Sequence, residues 1–254
     1  MLPAGWITPD WPAPAQVRAT CTTRERGVSA APYDTLNLGD HVADDPVSVA
    51  TNRKIFAQAI GTRPVFLKQV HGWQVAKLTA QTADGLEADA SITAQPRLAC
   101  TIMVADCLPV LFTTRRGTAV AAAHAGWRGL AGQDGYGVFE AAVAALSKDA
   151  HGDQAIAWLG PCIGPTAFEV GPEVKAAFES DDTRAGGLFK AHREGKWLAD
   201  LPGLARLRLA RLGITSVHGN DGSEAWCTVS NPLRFFSHRR DRISGRLAAA
   251  IWLA

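Results

Sequence analysis

Three short apolar segments dominate the first half of the chain, and each runs into a chemically reactive side chain. Val65 to Val70 reaches His71, Leu98 to Val104 continues through Asp106 to Cys107, and Thr118 to Ala123 reaches His124. Segments of this length, bounded by Gly, Pro or polar residues, predict buried strands. Strands of one sheet can bring their ends together. A thiolate is both a good metal ligand and a good nucleophile, and imidazole supplies a neutral nitrogen near neutral pH. Two histidines and a cysteine would give zinc three protein ligands and leave a fourth position for water or substrate, as in catalytic rather than structural sites. The same cysteine and a histidine could equally serve as nucleophile and base.

A cysteine in an apolar stretch is ordinarily a core thiol, and Cys21 and Cys100 are read that way. Cys107 differs, because Asp106 before it and Pro109 after it predict a turn at which the side chain leaves the core. His124 follows a run of small residues and precedes Gly126, which permits close approach by another group. The remaining histidines have no comparable neighbours, and only His41 and His238 invite a role beyond surface or loop hydrogen bonding. His151, His192 and His218 are read as surface or loop hydrogen-bonding residues.

The rest of the chain alternates helical and extended patterns. Residues 46–60, PVSVATNRKIFAQAI, place Val47, Val49, Ala50, Ile55 or Phe56, and Ala59 near helical spacing behind Asp44 and Asp45 as caps. GVFEAAVAALSKD reads as a helix after the glycine-rich AGWRGLAGQDGYG, AIAWLGPCIG as a strand and turn, and GPEVKAAFES as a helix opened by Pro172. LADLPGLARLRLARLG reads as an amphipathic helix ended by Gly213, and RFFSH with GRLAAAIWLA as a hairpin across RRDRIS. The expectation is one layered α/β domain over residues 1–254 with mixed, partly antiparallel sheets. With 254 residues and 47% hydrophobic content, one large core is affordable. A net charge of 26 − 24 = +2 argues against nucleic acid or an anionic membrane as the main partner. The sequence shows no signal peptide and no membrane span, and its five cysteines lack C-x-x-C spacing. A cytoplasmic protein with reduced thiols and a small substrate is expected, as a monomer or homodimer, since no apolar stripe outside the core marks an interface.

KQVHG at 68–72, ADCLPVLF at 105–112 and AAAHAGWRGL at 121–130 resemble the bacterial laccase-domain family of purine nucleoside phosphorylases, also described as polyphenol oxidase-like or peptidoglycan-editing-factor-like. The resemblance extends through PYDTLNLGDHVADDP at 32–46, WLGPCIGPTAFEVG at 158–171 and FFSHRRDRISGRLAAAIWL at 235–253. It implies a zinc site at His71, Cys107 and His124 and a fold similar to that of cytotoxic-necrotising-factor-like cysteine hydrolases. It also implies phosphorolysis of adenosine, inosine, guanosine and methylthioadenosine, with adenosine deaminase activity. The chain departs from the family pattern at Arg26, where glycine is usual, at Cys162, where alanine is usual, and at His238, where tyrosine is usual. Two loops, AGQDGYGVFE and HGNDGSEAWCT, look longer than the pattern.

Phosphorolysis needs a bound phosphate, and Arg53, Arg128, Arg239 and Arg240 offer forked donors for it. Asp106 and Asp89 are candidates for proton transfer, or for capping turns. The H-x-E with P-C-x-x-C pattern of nucleotide deaminases is absent. Three other classes compete: a cysteine or zinc hydrolase editing peptidoglycan precursors, with Cys107 attacking an amide; a copper-dependent polyphenol oxidase, disfavoured because none of the seven histidines is paired as H-x-H; and a non-catalytic zinc-stabilised binding module, which would need a fourth ligand. Copper could occupy a zinc site in vitro, since it binds nitrogen and sulfur donors more tightly.

Overall fold

Short apolar runs separated by turn residues give the chain a long series of brief elements. The computed structural model describes residues 2–150 and 153–254. Strand β1 (Val17–Cys21) is followed by helix α1 (Pro46–Ile60), then β2 (Arg63–Phe66), β3 (Val75–Lys77), β4 (Ala90–Thr93), β5 (Leu98–Val104), β6 (Leu108–Thr114), β7 (Val120–Ala125), α2 (Trp127–Ala131) and α3 (Val138–Ala150). The second half carries β8 (Ala155–Leu159), β9 (Glu169–Val170), α4 (Pro172–Glu179), β10 (Phe189–Ala191), β11 (Trp197–Ala199), α5 (Leu201–Arg211), β12 (Val217–Gly219), α6 (His238–Asp241) and β13 (Leu247–Leu253). His151 lies outside the described residues. Among the described residues, no helix is long and apolar enough to cross a membrane.

The helix expected over 46–60 forms with those bounds. Asp45 is its cap, accepting from the N–H groups of Val47 and Ser48, and Gly61 ends it at φ 67. Asp44 instead accepts from Ser29 Oγ at 2.6 Å and Asn37 Nδ2 at 2.8 Å. Val47, counted on the apolar face from its spacing, points outward at 72% exposure.

The strands build a four-stranded sheet in the order β1-β13-β5-β2, a six-stranded sheet in the order β12-β8-β6-β7-β4-β3, and a small sheet β10-β11-β9. Pairing is mixed, with β2 parallel to β5 and β13 antiparallel to it. The period of two along each strand sorts the side chains into layers. Cys100, Ile102, Val104, Ala249 and Ile251 of one sheet meet Leu111, Val120, Ala122 and Trp158 of the other in a dry inter-sheet core. The outer face of the four-stranded sheet, Ala99, Met103, Ala248 and Ala250, receives Phe56 and Ile60 of α1. The outer face of the six-stranded sheet, Val110, Phe112, Ala121 and Ala123, receives Phe139, Ala142 and Leu146 of α3. The result is helix, sheet, sheet, helix.

Three expectations are corrected. The first apolar segment leaves its strand at Phe66, because from there Gln69 takes over the pairing: its Nε2 donates to Met103 O and its Oε1 accepts from Met103 N, both at 2.8 Å. His124 lies inside β7 rather than beyond it. RFFSH forms no hairpin with the last strand, since β1 and β13 pair on one edge and β5 and β13 on the other; Phe235 and Phe236 instead fill the inter-sheet core. At Arg26 the backbone keeps φ 74, a left-handed conformation that glycine adopts without strain. Its Nε donates to Ala4 O at 3.0 Å.

The decisive connection is Ala105–Asp106–Cys107, which carries the chain from β5 in one sheet to β6 in the other. Asp106 makes the turn at φ 88. Its carboxylate accepts from Thr228 Oγ1 and Arg239 N, each at 2.6 Å.

Candidate functional site

Asp89 organises the site. It precedes β4, and because Ala90 pairs with Ala123 it falls beside His124 of β7, whose N–H donates to Asp89 O at 2.7 Å. Its carboxylate is fully buried. Oδ1 accepts from His71 N at 2.9 Å and from His124 Nδ1 at 2.8 Å, while Oδ2 accepts from Gly72 N at 2.7 Å and Val70 N at 3.2 Å. One carboxylate therefore holds the His71 loop and the His124 ring together. With Nδ1–H committed to Asp89, Nε2 is the nitrogen of His124 that can ligate once its proton is displaced, the orientation that metal-ligating histidines take from an outer carboxylate.

Cys107 enters from the crossover, its Sγ 3.8 Å from His71 Nε2. The ligand atoms of His71, Cys107 and His124 all lie within 4.8 Å of one another, and the two imidazole rings meet edge-on with centroids 4.8 Å apart. Gly126 closes the group: a Cβ there would stand 2.8 Å from His71 Cδ2 and 3.1 Å from Cys107 Sγ. Burial alone would raise the Cys107 thiol, but the charge of His124 and hydrogen bonds from both histidines bring it down to about 6. Burial opposes the His124 imidazolium, yet the Cys107 thiolate and the Asp89 carboxylate hold its pKa up at about 9. Asp89 stays below the ordinary carboxylate range: burial acts to raise it and is outweighed by His124 and the loop N–H groups. Two nitrogens and a thiolate, one nitrogen braced by a carboxylate, make a donor set that fits a borderline transition-metal ion with a coordination position to spare.

The cluster forms the floor of a cavity of about 430 Å³, walled by Gln69, Met103, Ile163 and Phe168, with His41, His238, Arg239 and Arg246 around it. Both histidines singled out in the sequence thus reach the site. His218 Nε2 instead lies 2.9 Å from Ser216 Oγ, and His192 lies 3.6 Å from Glu169. Of the four arginines read from the sequence, Arg239 lines the cavity, with Nη1 donating to Glu169 O at 2.9 Å. The other three do not line it. Arg53 is committed to Leu38 O, Asp40 and the face of Phe66. Arg240 binds Asp241 and the carbonyls of Thr228, Val229 and Phe235, and Arg128 is exposed over the ring of Trp127. The Asp106 carboxylate is occupied, but by Thr228 Oγ1 and the Arg239 N–H rather than by the N–H groups of its own turn. Cys162 is buried behind Ile163, its thiol pushed far up by burial, and accepts from Asn220 Nδ2 at 3.3 Å. Arg246 was not visible as a site residue in the sequence, since only the pairing of β13 with β5 brings it there.

Residues 18–254 match the family model described as multi-copper polyphenol oxidoreductase laccase. The chain belongs to this family. Within it, the chain is 51% identical to a protein of Pseudomonas aeruginosa named purine nucleoside phosphorylase, over 98% of each chain. It is 48% identical to purine nucleoside phosphorylase YfiH of Escherichia coli, over 97% of this chain and 98% of that one. A crystal structure of a Neisseria meningitidis protein assigned to the family model DUF152 superposes with a TM-score of 0.90 at 46% identity, covering 98% of this chain and 99% of that one. The family resemblance carried by the motifs around His71, Cys107 and His124 is therefore correct, and the single-domain α/β fold with mixed sheets is the family's own.

Proposed function

We propose that the protein is a purine nucleoside phosphorylase whose reaction centre is the His71, Cys107 and His124 cluster, holding zinc. The observation that carries this is the convergence of two imidazoles and a thiol, braced by buried Asp89, on the floor of a cavity of about 430 Å³. A cavity of that size suits a nucleoside, and relatives of half or nearly half identity are named for that activity. Adenosine, inosine, guanosine and methylthioadenosine are the proposed substrates. In the reaction a phosphate oxygen bonds to C1′ of the ribose as the bond from C1′ to the base nitrogen breaks; the base leaves with the electron pair and takes up the proton that the hydrogen phosphate loses. Zinc held by the three residues would supply a Lewis acid for a substrate oxygen, a property that also suits deamination of adenosine. The chain's own contribution is positional. Asp89 fixes the tautomer of His124, Met103, Ile163 and Phe168 provide apolar wall for the base, and Arg239 presents the unoccupied part of its guanidinium to an oxyanion.

One observation favours a second reading. Cys107, His124 and Asp89 follow one another as thiolate, imidazole and carboxylate, the order of a cysteine hydrolase. Copper phenol oxidation is less well supported, because among the described residues only one group of His, Cys, Asp or Glu can hold a metal, and a multicopper centre needs several. A panel of nucleosides incubated with and without phosphate, read by chromatography of the released base, separates the readings. The expected products with phosphate are free purine and ribose 1-phosphate. Free ribose without phosphate, or cleavage of amides by metal-free protein, would defeat the phosphorylase reading.

A further inference from the structure

Arg246 reaches the cavity through strand register. Leu247 pairs with Val104 at the end of β5, so the residue before β13 comes beside the crossover that bears Cys107. The opposite side of its backbone is gripped by the 37–39 loop: Arg246 N donates to Asn37 Oδ1 at 2.8 Å, and Leu38 N donates to Arg246 O at 3.2 Å. Its stem packs on Gly39, where a Cβ would stand 2.7 Å from Arg246 Cγ. The side chain therefore has little freedom over where it aims.

What it meets is incomplete. Nη1 donates to the carbonyls of Ser244 at 2.8 Å and Gly245 at 3.1 Å, and among the described residues no carboxylate pairs with it. Asp106, the acid on the cavity wall, is committed to Thr228 and to Arg239 N. Burial pushes the guanidinium pKa down, and the same positive charge, with burial the larger cause, keeps neighbouring His41 below its ordinary value. The negative charges of Cys107 and Asp106 act on it without direct contact and are outweighed by its burial, so a half-buried cation whose only hydrogen-bond partners are two carbonyls faces the cavity without a paired counter-ion. A guanidinium fork matches two oxygens of a tetrahedral oxyanion.

We propose that Arg246 is the anchor for inorganic phosphate in this cavity, holding the oxyanion on the wall beside the Cys107 crossover. This deepens the phosphorylase reading and rests on it for the identity of the anion. The test measures phosphate binding by calorimetry alongside phosphate and nucleoside KM, in the wild-type protein, Arg246→Gln and Arg246→Lys. Arg246→Gln should weaken phosphate binding, and raise the phosphate KM, roughly ten- to a hundredfold, as loss of a charge-assisted pair does. The nucleoside KM should move less than about threefold. Arg246→Lys keeps charge and stem but not the fork, and should recover only part of the affinity. If Arg246→Gln fails to fold by circular dichroism, the lysine variant decides: an unchanged phosphate affinity overturns the assignment. A parallel rise of both KM values in Arg246→Gln overturns it too, since that is the mark of a structural role, as does acetate binding the wild type as tightly as phosphate. Wild-type protein that binds phosphate through Arg246 yet releases no purine would sustain the anchor and defeat the phosphorylase reading.

Discussion

Replacing Asp89 by Asn tests the organisation of the site at its root. Each carboxylate oxygen accepts two N–H groups: Oδ1 serves His71 N and His124 Nδ1, and Oδ2 serves Val70 N and Gly72 N. An amide has one accepting oxygen, so its NH2 must face one of these pairs. If it faces the Val70 and Gly72 side, two donors of the His71 loop are orphaned. If it faces the other side, His71 N is orphaned and His124 must accept at Nδ1, which moves its proton to Nε2 and removes it as a ligand. Orphaned donors cost about 1–3 kcal/mol each, so the first arrangement destabilises the metal-free protein by roughly 2–6 kcal/mol. Loss of an outer-shell carboxylate weakens metal binding by about ten- to a hundredfold. Urea denaturation of metal-free protein and chelator competition for zinc measure the two effects separately. An Asp89→Asn protein with wild-type zinc affinity and a stability loss below about 1 kcal/mol would refute the reasoning.

Further outcomes follow from the same geometry. Purified protein is expected to hold about one zinc per chain, and Cys107→Ala or His71→Ala should lose it with the fold retained, as checked by elemental analysis and circular dichroism. Gly126→Ala should also lose metal without unfolding, because its Cβ would enter contacts of 2.8 Å with His71 and 3.1 Å with Cys107. Arg239→Ala should raise the phosphate KM more than the nucleoside KM; steady-state kinetics with each substrate varied would show unchanged phosphate dependence if its role is wrong. Burial pushes the Cys21 and Cys100 thiols from 9.0 up to about 12. The unfolded chain therefore loses these protons first, and their contribution to stability, full below pH 9.0, declines as pH rises toward about 12. Urea midpoints across that range should fall less steeply for a Cys21→Ala, Cys100→Ala double variant.

Local signals carried much of this in the sequence. The helix at 46–60 could be read because its cap, its proline start and its terminating glycine are all local, and Leu98 to Val104 because a strand buried on both faces is apolar throughout. Cys107 stood out through its neighbours Asp106 and Pro109. What could not be read depends on pairing between distant segments. Arg246 joins the site through the Leu247–Val104 register, 143 positions apart by their numbers (247 − 104). Asp89 could be listed as an acid, but its role as a brace depends on β4 lying beside β7. The failed hairpin has the same origin: RFFSH carries an apolar pattern because Phe235 and Phe236 fill the space between sheets, and burial without pairing leaves the same pattern in sequence. The arginines illustrate the limit most sharply, since Arg239 and Arg240 are adjacent in sequence and only Arg239 lines the cavity.

The crossing of Ala105–Cys107 from one sheet to the other has a mechanical consequence. His71 hangs from the loop that follows the four-stranded sheet's β2, His124 stands within the six-stranded sheet, and Cys107 rides on the peptide that joins them. Anything that grips all three acts as a rivet through the sandwich, and its fit is set by how far one sheet slides on the other. The spacing of the three side chains is then set by the filling between the sheets. Trp158, buried there with Phe235 and Phe236 and set edge-on to Trp226 at 6.0 Å, is a spacer. A slimmer side chain at that position would shift the jaws of the site while leaving every one of its residues in place.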